Sequence, residues 1–330
     1  MMINQWHYKK IELFQRYAEN PIITVKNWPY LVNAVSNPGS IRLASGDTVL
    51  LATVENRRGT SFLNAIRSED GVSKWHIEKK PALTPDPFKF PEEMWGISSP
   101  RIVYLRGLVQ FAITYTAFSD SGPCISLATT KDFLSFKKYG KITPAPDKDA
   151  CIFPRQVNGR WLLLHQPAVN HRQGLLNEAN ICLSYSEDLS TWYGTTPLIK
   201  ARLGSWWDAS KIGLCTPPVE TSEGWLVFYH GIRHMAAGCI YRIGVALLDL
   251  DDPGQVLYRS DEWILGPKAL YELAGYVNNV IFPCGFVLDE KSGDIRLYYG
   301  AAGSSIAFAT GNIVCIIDWL KKNTGNSIAS

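Results

Sequence analysis

The sequence predicts an all-β fold: a five-bladed β-propeller forming one domain over residues 1–330, with a short C-terminal helix. Three observations lead to this prediction. Apolar runs are rich in β-branched and aromatic residues and end at Gly, Pro, Asn or Asp. Long helical periodicity is nearly absent. A strand, a polar turn and a second strand ending in an acidic turn recur five times, at the roughly 50–70-residue spacing of four-stranded blades.

The recurring runs define where each repeat begins and where the last repeat ends. We expect the inner strands to start near Val49, Val109, Trp161, Trp225 and Ile295. After the fifth repeat, IVCIIDWLKK at residues 313–322 predicts a helix, and residues 8–17 are a weaker helical candidate. A β-sandwich or two smaller β-domains are the alternatives to a propeller.

Composition excludes several classes of function. A net charge of +3 without a basic tract does not favour a nucleic-acid partner. No apolar stretch is long enough to span a membrane, and the N-terminus lacks the apolar core of a signal peptide. The seven cysteines are odd in number and form no CxxC pattern, which argues against a zinc site and a disulfide framework. We therefore expect a reduced, cytoplasmic, soluble protein.

The stretch from residue 205 to residue 234 combines aromatic faces with charged groups between turn-forming prolines and glycines. Flat rings of this kind stack on sugars, and the polar groups are typical of small-ligand sites. The alternative is a loop whose tryptophans pack and whose charges are solvated. The residues concerned are Trp206, Trp207, Asp208, Lys211, His230 and His234.

Polar residues also recur at matching places in the repeats, and a propeller would bring them to a shared axial cavity. They are Glu55, Asn56, Arg57 and Arg58; Trp95, Ser98, Ser99 and Arg101; Arg155, His165 and Gln166; Asp208, Lys211 and His230; and Tyr298, Tyr299 and Ser304. The cations among them favour an anion such as phosphate. Alternatively, individual arginines form ion pairs with Glu55, Asp208 or Glu220 that hold the blades together.

Several segments together resemble glycoside hydrolase family 130, the β-mannoside phosphorylases and β-mannosidases. They include VENRRGTSFLNAIRSEDG, PEEMWGISSPRI, GSWWDASKIG, PPVETSEGWLVFYHGIRH and NNVIFPCG. The chain looks most similar to the mannosylglucose phosphorylase branch. The resemblance implies a five-bladed propeller and inverting cleavage of a β-mannosidic bond in a small oligosaccharide. It also implies phosphate as co-substrate, mannose 1-phosphate as product, no cofactor or metal, and a homo-oligomer.

The resemblance also implies roles for individual residues. For the mannoside we expect contacts from Asn37, Asn56, Arg57, Arg58, Trp95, Arg101, Asp208, Tyr299 and the position of Gly303. For phosphate we expect contacts from Arg155, Lys211, His230 and the position of Gln166, and we expect the first three to converge on one anion.

Three positions depart from the family's pattern. The family reads Gly-Ile/Val-Glu-Asp-Pro-Arg where this chain has GISSPR, so its proton-donating aspartate is Ser99 here. A serine hydroxyl is far too weak an acid to replace a carboxylic acid near neutral pH. The aspartate after YYGAA, which contacts the mannose, is Gly303, and the phosphate-binding arginine of HRP is Gln166.

These departures leave two functional hypotheses. In the first, the chain is an enzyme with rearranged catalysis, whose acid is supplied by Asp208 or by Glu93, Asp120 or Glu220. In the second, it is a degenerate relative that binds sugar, or sugar and phosphate, without turnover. The substitutions at Ser98, Ser99 and Gly303 could also be engineered, but that explanation must account for changes at separate sites.

Overall fold

The computed structural model describes residues 12–167, 179–236 and 238–324, and this part of the chain is almost entirely β-structure. The first eleven strands are β1 Gln15–Arg16, β2 Ile23–Thr24, β3 Ala34–Arg42, β4 Thr48–Glu55, β5 Ser61–Ser68, β6 His76–Ile77, β7 Gly96–Leu105, β8 Gln110–Ser119, β9 Gly122–Thr130, β10 Lys137–Lys141 and β11 Asp147–Ile152. The later strands are β12 Trp161–Pro167, β13 Ile181–Ser186, β14 Tyr193–Ile199, β15 Lys211–Leu214, β16 Val219–Thr221, β17 Gly224–Met235, β18 Gly238–Leu248, β19 Val256–Arg259, β20 Ile281–Leu288, β21 Asp294–Ala301 and β22 Ser305–Asn312. The helices are α1 Leu270–Leu273 and α2 Ile313–Lys322. The all-β prediction is confirmed.

Antiparallel pairing groups the strands into consecutive sets. Sets one to three are β3–β6, β7–β10 and β11–β14; set four is β15, β17, β18 and β19, with β16 beside β17; set five is β20, β21, β22 and β1. Sets one and two belong to one eight-stranded sheet, because Ser61 of β5 pairs in parallel with Gly96 of β7.

The sets pack through their first strands. Strand β11 contacts β7, β8 and β9 of the set before it, and β15 contacts β11, β12 and β13 in the same way. Strand β3 contacts β20, β21 and β22, so sets one and five are neighbours as well. The first strands therefore lie beside one another in the order β20, β3, β7, β11 and β15, and sets four and five meet through β18 and β20.

The starts predicted for the inner strands fall one strand later than the first strands through which the sets contact one another. The predicted starts fall at β4, β8, β12, β17 and β21, which are the second strands. Second strands such as β4 are almost continuously buried and give the strongest apolar signal. First strands are interrupted by bulges and prolines, as in the segment SNPG of β3, and look like turns in the sequence.

The apolar core lies between neighbouring sets. One cluster joins Leu163 of β12, Ile212 of β15 and Trp225 of β17, all essentially buried. The Trp225 ring meets Phe153 edge-on, with centroids 4.8 Å apart. Aromatic pairs of this kind stabilise packing beyond the area that they bury.

The helix predicted at residues 313–322 is confirmed as α2. The Asn312 side chain accepts hydrogen bonds from the first backbone N–H groups, and Ile316, Ile317 and Leu320 are buried. The weaker helix prediction for residues 8–17 is wrong in its described part, because Gln15–Arg16 is a strand. Its first four residues lie outside the described part of the chain. No described helix is long and apolar enough to cross a membrane.

Candidate functional site

Three neighbouring first strands carry the same backbone feature. Asn37, Ser99 and Asp149 have φ angles of 46°, 52° and 54°, and each lies at a bulge in its strand. Bulges re-aim side chains and often accompany functional sites. A left-handed conformation at a residue other than glycine is also uncommon, and asparagine and aspartate tolerate it best. The repeated bulge brings an amide, a hydroxyl and a carboxylate to equivalent places.

Ser99 is buried and fixed at both its backbone and its side chain. Its N–H donates to Thr53 Oγ1 at 2.9 Å, and its Oγ accepts from Asn37 Nδ2 at 3.1 Å. Ser98 Oγ lies 3.4 Å from Ser99 Oγ. Among the described residues, none of the hydrogen bonds of Ser99 Oγ comes from a carboxyl group.

Asp149 and His230 face each other between sets three and four. Asp149 Oδ1 accepts from Arg101 at 3.1 Å, while Oδ2 lies 3.9 Å from His230 Nε2 and 3.7 Å from Lys148 Nζ. A methyl group on Gly213 would lie 2.8 Å from His230 Nε2 and 3.0 Å from Asp149 Oδ2. The glycine therefore keeps an open space in front of both atoms.

Gln166 and Lys211 lie beside this pair. Gln166 is the cross-strand partner of Lys148, and its Nε2 donates to the Ile212 carbonyl at 2.5 Å. Lys211 precedes Gly213 by two residues, so both point to the same face of β15. His230 is paired with Gly213 on that face. We call Lys148, Asp149, Gln166, Lys211 and His230 the anion cluster.

Burial and neighbouring charges set the protonation of this cluster. Burial lowers the pKa of His230 to about 3, so the imidazole is neutral near pH 7 and is not the cation expected from the sequence. Burial alone would raise the pKa of Asp149, but Lys148 and Arg101 hold it below the usual range. Asp149 is therefore an ionised, buried carboxylate.

Arg101 joins three sets of strands and is not free to contact a sugar. Its side chain is only 1% exposed. It donates to the carbonyls of Ser99, Leu214 and Cys215 as well as to Asp149. Arg101 holds the Ser99 backbone and the Asp149 carboxylate in place, and the substrate contact predicted for it stays a prediction.

Asp208, the predicted substitute acid, lies in a buried ion-pair network. Its Oδ2 accepts from Arg259 at 2.7 Å and from the Tyr229 hydroxyl at 3.1 Å, with Arg202 at 3.4 Å. Asp208 is fully buried. Two guanidinium groups contact one oxygen of this carboxylate, while Oδ1 has no hydrogen-bond partner among the described residues. These contacts are structural, and the role of Asp208 as substitute acid stays a prediction.

Tyr299 is likewise internal. Its side chain is 0% exposed, and its hydroxyl donates to Glu272 at 2.8 Å. Both ring and hydroxyl are buried in set five, where they make structural contacts, and the predicted substrate contact of Tyr299 stays a prediction.

Arg155 does not join the anion cluster. It follows the end of β11, seven residues after Lys148, which corresponds to roughly 20 Å along an extended strand. Its guanidinium binds Glu220 at 2.7 Å and lies over the Trp225 ring. Both residues of the ion pair border a cavity of about 460 Å³ between the far ends of the first strands. The predicted convergence of Arg155 with Lys211 and His230 is therefore not observed.

The remaining predicted substrate residues lie in loops or turns. Arg57 and Arg58 are exposed in the turn after β4, where Asn56 Oδ1 accepts from two backbone N–H groups. Trp95 is 58% exposed just before β7. Gly303 has a φ of +64° in the turn between β21 and β22.

The other candidate acids either bind neighbouring side chains or lie in an exposed turn. Glu93 is fully buried and binds Tyr115 and Lys138, Glu220 pairs with Arg155, and Asp120 is exposed in a turn.

Lys148 and Asp149 were not predicted from the sequence, because PDKDAC looks like a charged turn. The signal that could have found them is the alignment of Asp149 with Asn37 and Ser99 within the repeats.

The comparisons with known proteins place the chain in a family. Residues 10–322 match the family model described as beta-1,4-mannooligosaccharide phosphorylase. The chain belongs to glycoside hydrolase family 130, a family of glycoside phosphorylases. The chain is 33% identical over 245 residues to 1,2-beta-oligomannan phosphorylase of Thermoanaerobacter sp. strain X514, covering 73% of this chain and 75% of the relative. It is 30% identical to beta-1,4-mannooligosaccharide phosphorylase of Ruminococcus albus, covering 95% and 92%.

The fold matches solved members of the family. A beta-1,2-mannobiose phosphorylase from Listeria innocua, solved with beta-1,2-mannobiose, superposes with a TM-score of 0.84 at 26% identity, covering 94% of this chain and 99% of that one. The expected likeness to mannosylglucose phosphorylases is not supported. The matched 4-O-beta-D-mannosyl-D-glucose phosphorylase of Bacteroides fragilis is only 22% identical, covering 87% of this chain and 75% of the relative.

Proposed function

We propose that this chain binds a β-mannoside beside inorganic phosphate at the bulged ends of the first strands and catalyses its phosphorolysis slowly. Family membership and the oligomannan phosphorylases among the relatives support the substrate class. The low rate is proposed because the position expected for the proton donor is occupied by Ser99, whose hydroxyl is buried. Proton delivery to the departing oxygen contributes roughly 10²–10⁴-fold to rate.

The proposal includes an architecture in which the five sets are blades around one axis. Two observations support it. Successive first strands contact one another from β3 to β15, and sets five and one pack against each other. On this arrangement the bulges of β3, β7 and β11 lie at one end of the axis and the Arg155 cavity lies at the other. Asn37, Trp95, Arg57, Arg58 and Asn56 would then border the mannoside.

Phosphate would lie between sets three and four, bound by the anion cluster. Lys148 and Lys211 supply positive charge, and neutral His230 can donate one hydrogen bond. No cofactor is required for this reaction. In the described ranges, no group of three His, Cys, Asp or Glu side chains is placed to hold a metal ion.

The test is incubation of the chain with β-linked mannobiose or mannosylglucose, with and without phosphate, followed by assay of mannose 1-phosphate and free mannose. We expect detectable sugar binding and little mannose 1-phosphate. Rapid, phosphate-dependent turnover by the unmodified chain would contradict the proposal.

A double substitution should restore activity if the missing carboxylates are the cause. Aspartate fits the backbone at position 99, because Asp149 already adopts the same left-handed conformation. A Cβ on Gly303 would approach no heavy atom closer than 3.4 Å, and its φ of +64° strains most side chains but is tolerated best by asparagine and aspartate. We expect Ser99→Asp with Gly303→Asp to raise phosphorolysis by roughly 10²-fold or more, and by more than either change alone. Ser99→Asn is the matched control without an acid and should remain slow.

The location and assembly of the protein stay predictions. The seven cysteines are all unpaired, which supports a reducing compartment such as the cytoplasm. Association into a homo-oligomer is proposed from the family resemblance and can be tested by light scattering.

A further inference from the structure

Three polar atoms of the anion cluster are buried without a hydrogen-bond partner among the described residues. They are Asp149 Oδ2, Gln166 Oε1 and His230 Nε2. The three residues are 3%, 2% and 0% exposed. Buried polar groups are nearly always satisfied in folded proteins, so atoms left open in a candidate site indicate a missing ligand.

The hydrogen-bond chemistry of two of these atoms is fixed by their neighbours. Asp149 is ionised, and an ionised carboxylate only accepts hydrogen bonds. The Nε2 of Gln166 already donates to the Ile212 carbonyl, which leaves the amide oxygen as an acceptor. Two of the three open atoms therefore need a ligand that donates hydrogen bonds.

The charge of the surroundings requires the same ligand to be an anion. Lys148 Nζ lies 3.7 Å from Asp149 Oδ2, and Lys211 projects from the face that carries Gly213. Arg101 and Lys148 place two positive charges against the single charge of Asp149, and Lys211 adds a third, so the cluster keeps a net positive charge for the ligand. The pocket thus combines cations with unpaired acceptors.

Inorganic phosphate has both properties, because near neutral pH it carries at least one P–OH group beside its charged oxygens. Sulfate has the same shape but no proton to donate. We propose that Asp149 Oδ2 accepts a hydrogen bond from the P–OH of bound phosphate and thereby selects phosphate against sulfate. The inference rests on the proposed phosphate site and names the residue that determines its specificity.

The physical reason for selection is the low dielectric constant around Asp149. A sulfate oxygen in the same place would turn its lone pairs and charge towards an ionised carboxylate that is 3% exposed. A hydrogen bond to a charged group contributes enough to binding to discriminate the two anions by at least about tenfold.

The test is isothermal titration of the full chain with phosphate and with sulfate at one pH and one ionic strength. We expect phosphate to bind at least about tenfold more tightly. Asp149→Asn keeps an oxygen for Arg101, tolerates the left-handed backbone and replaces Oδ2 by a donor. This variant should bind both anions with nearly equal affinity.

Asp147→Asn is the matched control. Asp147 is a buried carboxylate two residues earlier in β11, paired with His165 instead of facing Gly213, so its removal should leave the selectivity unchanged. Equal binding of the two anions by the unmodified chain overturns the role of Asp149, and this comparison needs no variant to fold. Binding of neither anion overturns the proposed phosphate site itself.

Discussion

Asn37, Ser99 and Asp149 share one backbone conformation but carry three different side chains. The conformation is strained for most residues, and its cost is offset where the surroundings fix it. At Ser99 the fixing bonds come from Thr53 on β4 and from Arg101, two residues further along the same strand. Because the backbone is held independently of the side chain, one side chain can replace another at these positions while the strand keeps its conformation.

A first residue-scale prediction concerns Gln166. Substitution by arginine places a charged donor beside Lys148, its cross-strand partner, and should tighten phosphate binding by about tenfold, equivalent to ~1–2 kcal/mol. Titration with phosphate measures the change. Gln156→Arg adds the same charge at an exposed position beyond β11 and should have little effect. An unchanged affinity in Gln166→Arg would count against the placement of phosphate.

A second prediction concerns His230 and pH. Its pKa is lowered to about 3 by burial, below the ordinary value of about 6.5. Between these values the unfolded chain binds a proton that the folded chain does not. This residue therefore lowers the free energy of unfolding as pH falls from about 6.5 towards 3, by at most ~1.4 kcal/mol per pH unit.

Urea unfolding at about pH 7, 6 and 5 measures this effect. His230→Gln should flatten the pH dependence, whereas His76→Gln, at an exposed histidine, should leave it unchanged. A slope that survives in His230→Gln would show that other groups cause it.

At the scale of the element, a repeated turn ends the third strand of the first three sets. Asp70, Asp132 and Asp188 each accept two backbone N–H groups and lie two residues after a Ser or Thr hydroxyl that caps the turn. These backbone hydrogen bonds hold the pKa of all three carboxyl groups below its usual range. The turn fixes where each third strand ends.

Replacement of one of these aspartates tests the turn. Asp132→Ala should reduce the free energy of unfolding by about 1 kcal/mol, a modest loss because the carboxylate is exposed. Asp132→Asn retains the accepting oxygen and should lose less. Urea unfolding compares the two variants, and equal losses would indicate that the charge matters more than the hydrogen bonds.

Sequence patterns predicted elements well where burial is continuous and poorly where the backbone is irregular. The helix at 313–322 follows from an apolar face and an Asn cap, both of which are local. The first strands were missed because their bulges and prolines interrupt the alternation of strand residues. Asp149 and Lys148 were missed because their segment looks like a charged turn and because their role depends on Gly213 and His230, which are distant in sequence.

For the whole molecule, Glu272 joins segments from both ends of the chain. It accepts from Arg16 at 2.8 Å, from the Tyr299 hydroxyl at 2.8 Å and from the Lys268 N–H at 2.7 Å. Its carboxylate is fully buried. Removal of one partner from a buried ion pair leaves an uncompensated charge.

We therefore expect Glu272→Ala to reduce the free energy of unfolding by about 3 kcal/mol. Glu290→Ala, at an exposed carboxylate, should change it little. Urea unfolding again gives the comparison. A loss below about 1 kcal/mol in Glu272→Ala would mean that Arg16 finds other partners or water.

The last set of strands combines β20, β21 and β22 with β1 from the opposite end of the chain, and Gln15 and Thr310 are partners across it. These residues are 295 positions apart. On the ribosome, β1 emerges roughly 15–60 s before its partner is synthesised. Throughout that interval it is an unpaired strand edge, and the nascent protein cannot complete its fifth set of strands. Completion of this set therefore waits for the synthesis of β22, so β1 depends for its pairing on a segment made almost three hundred residues later.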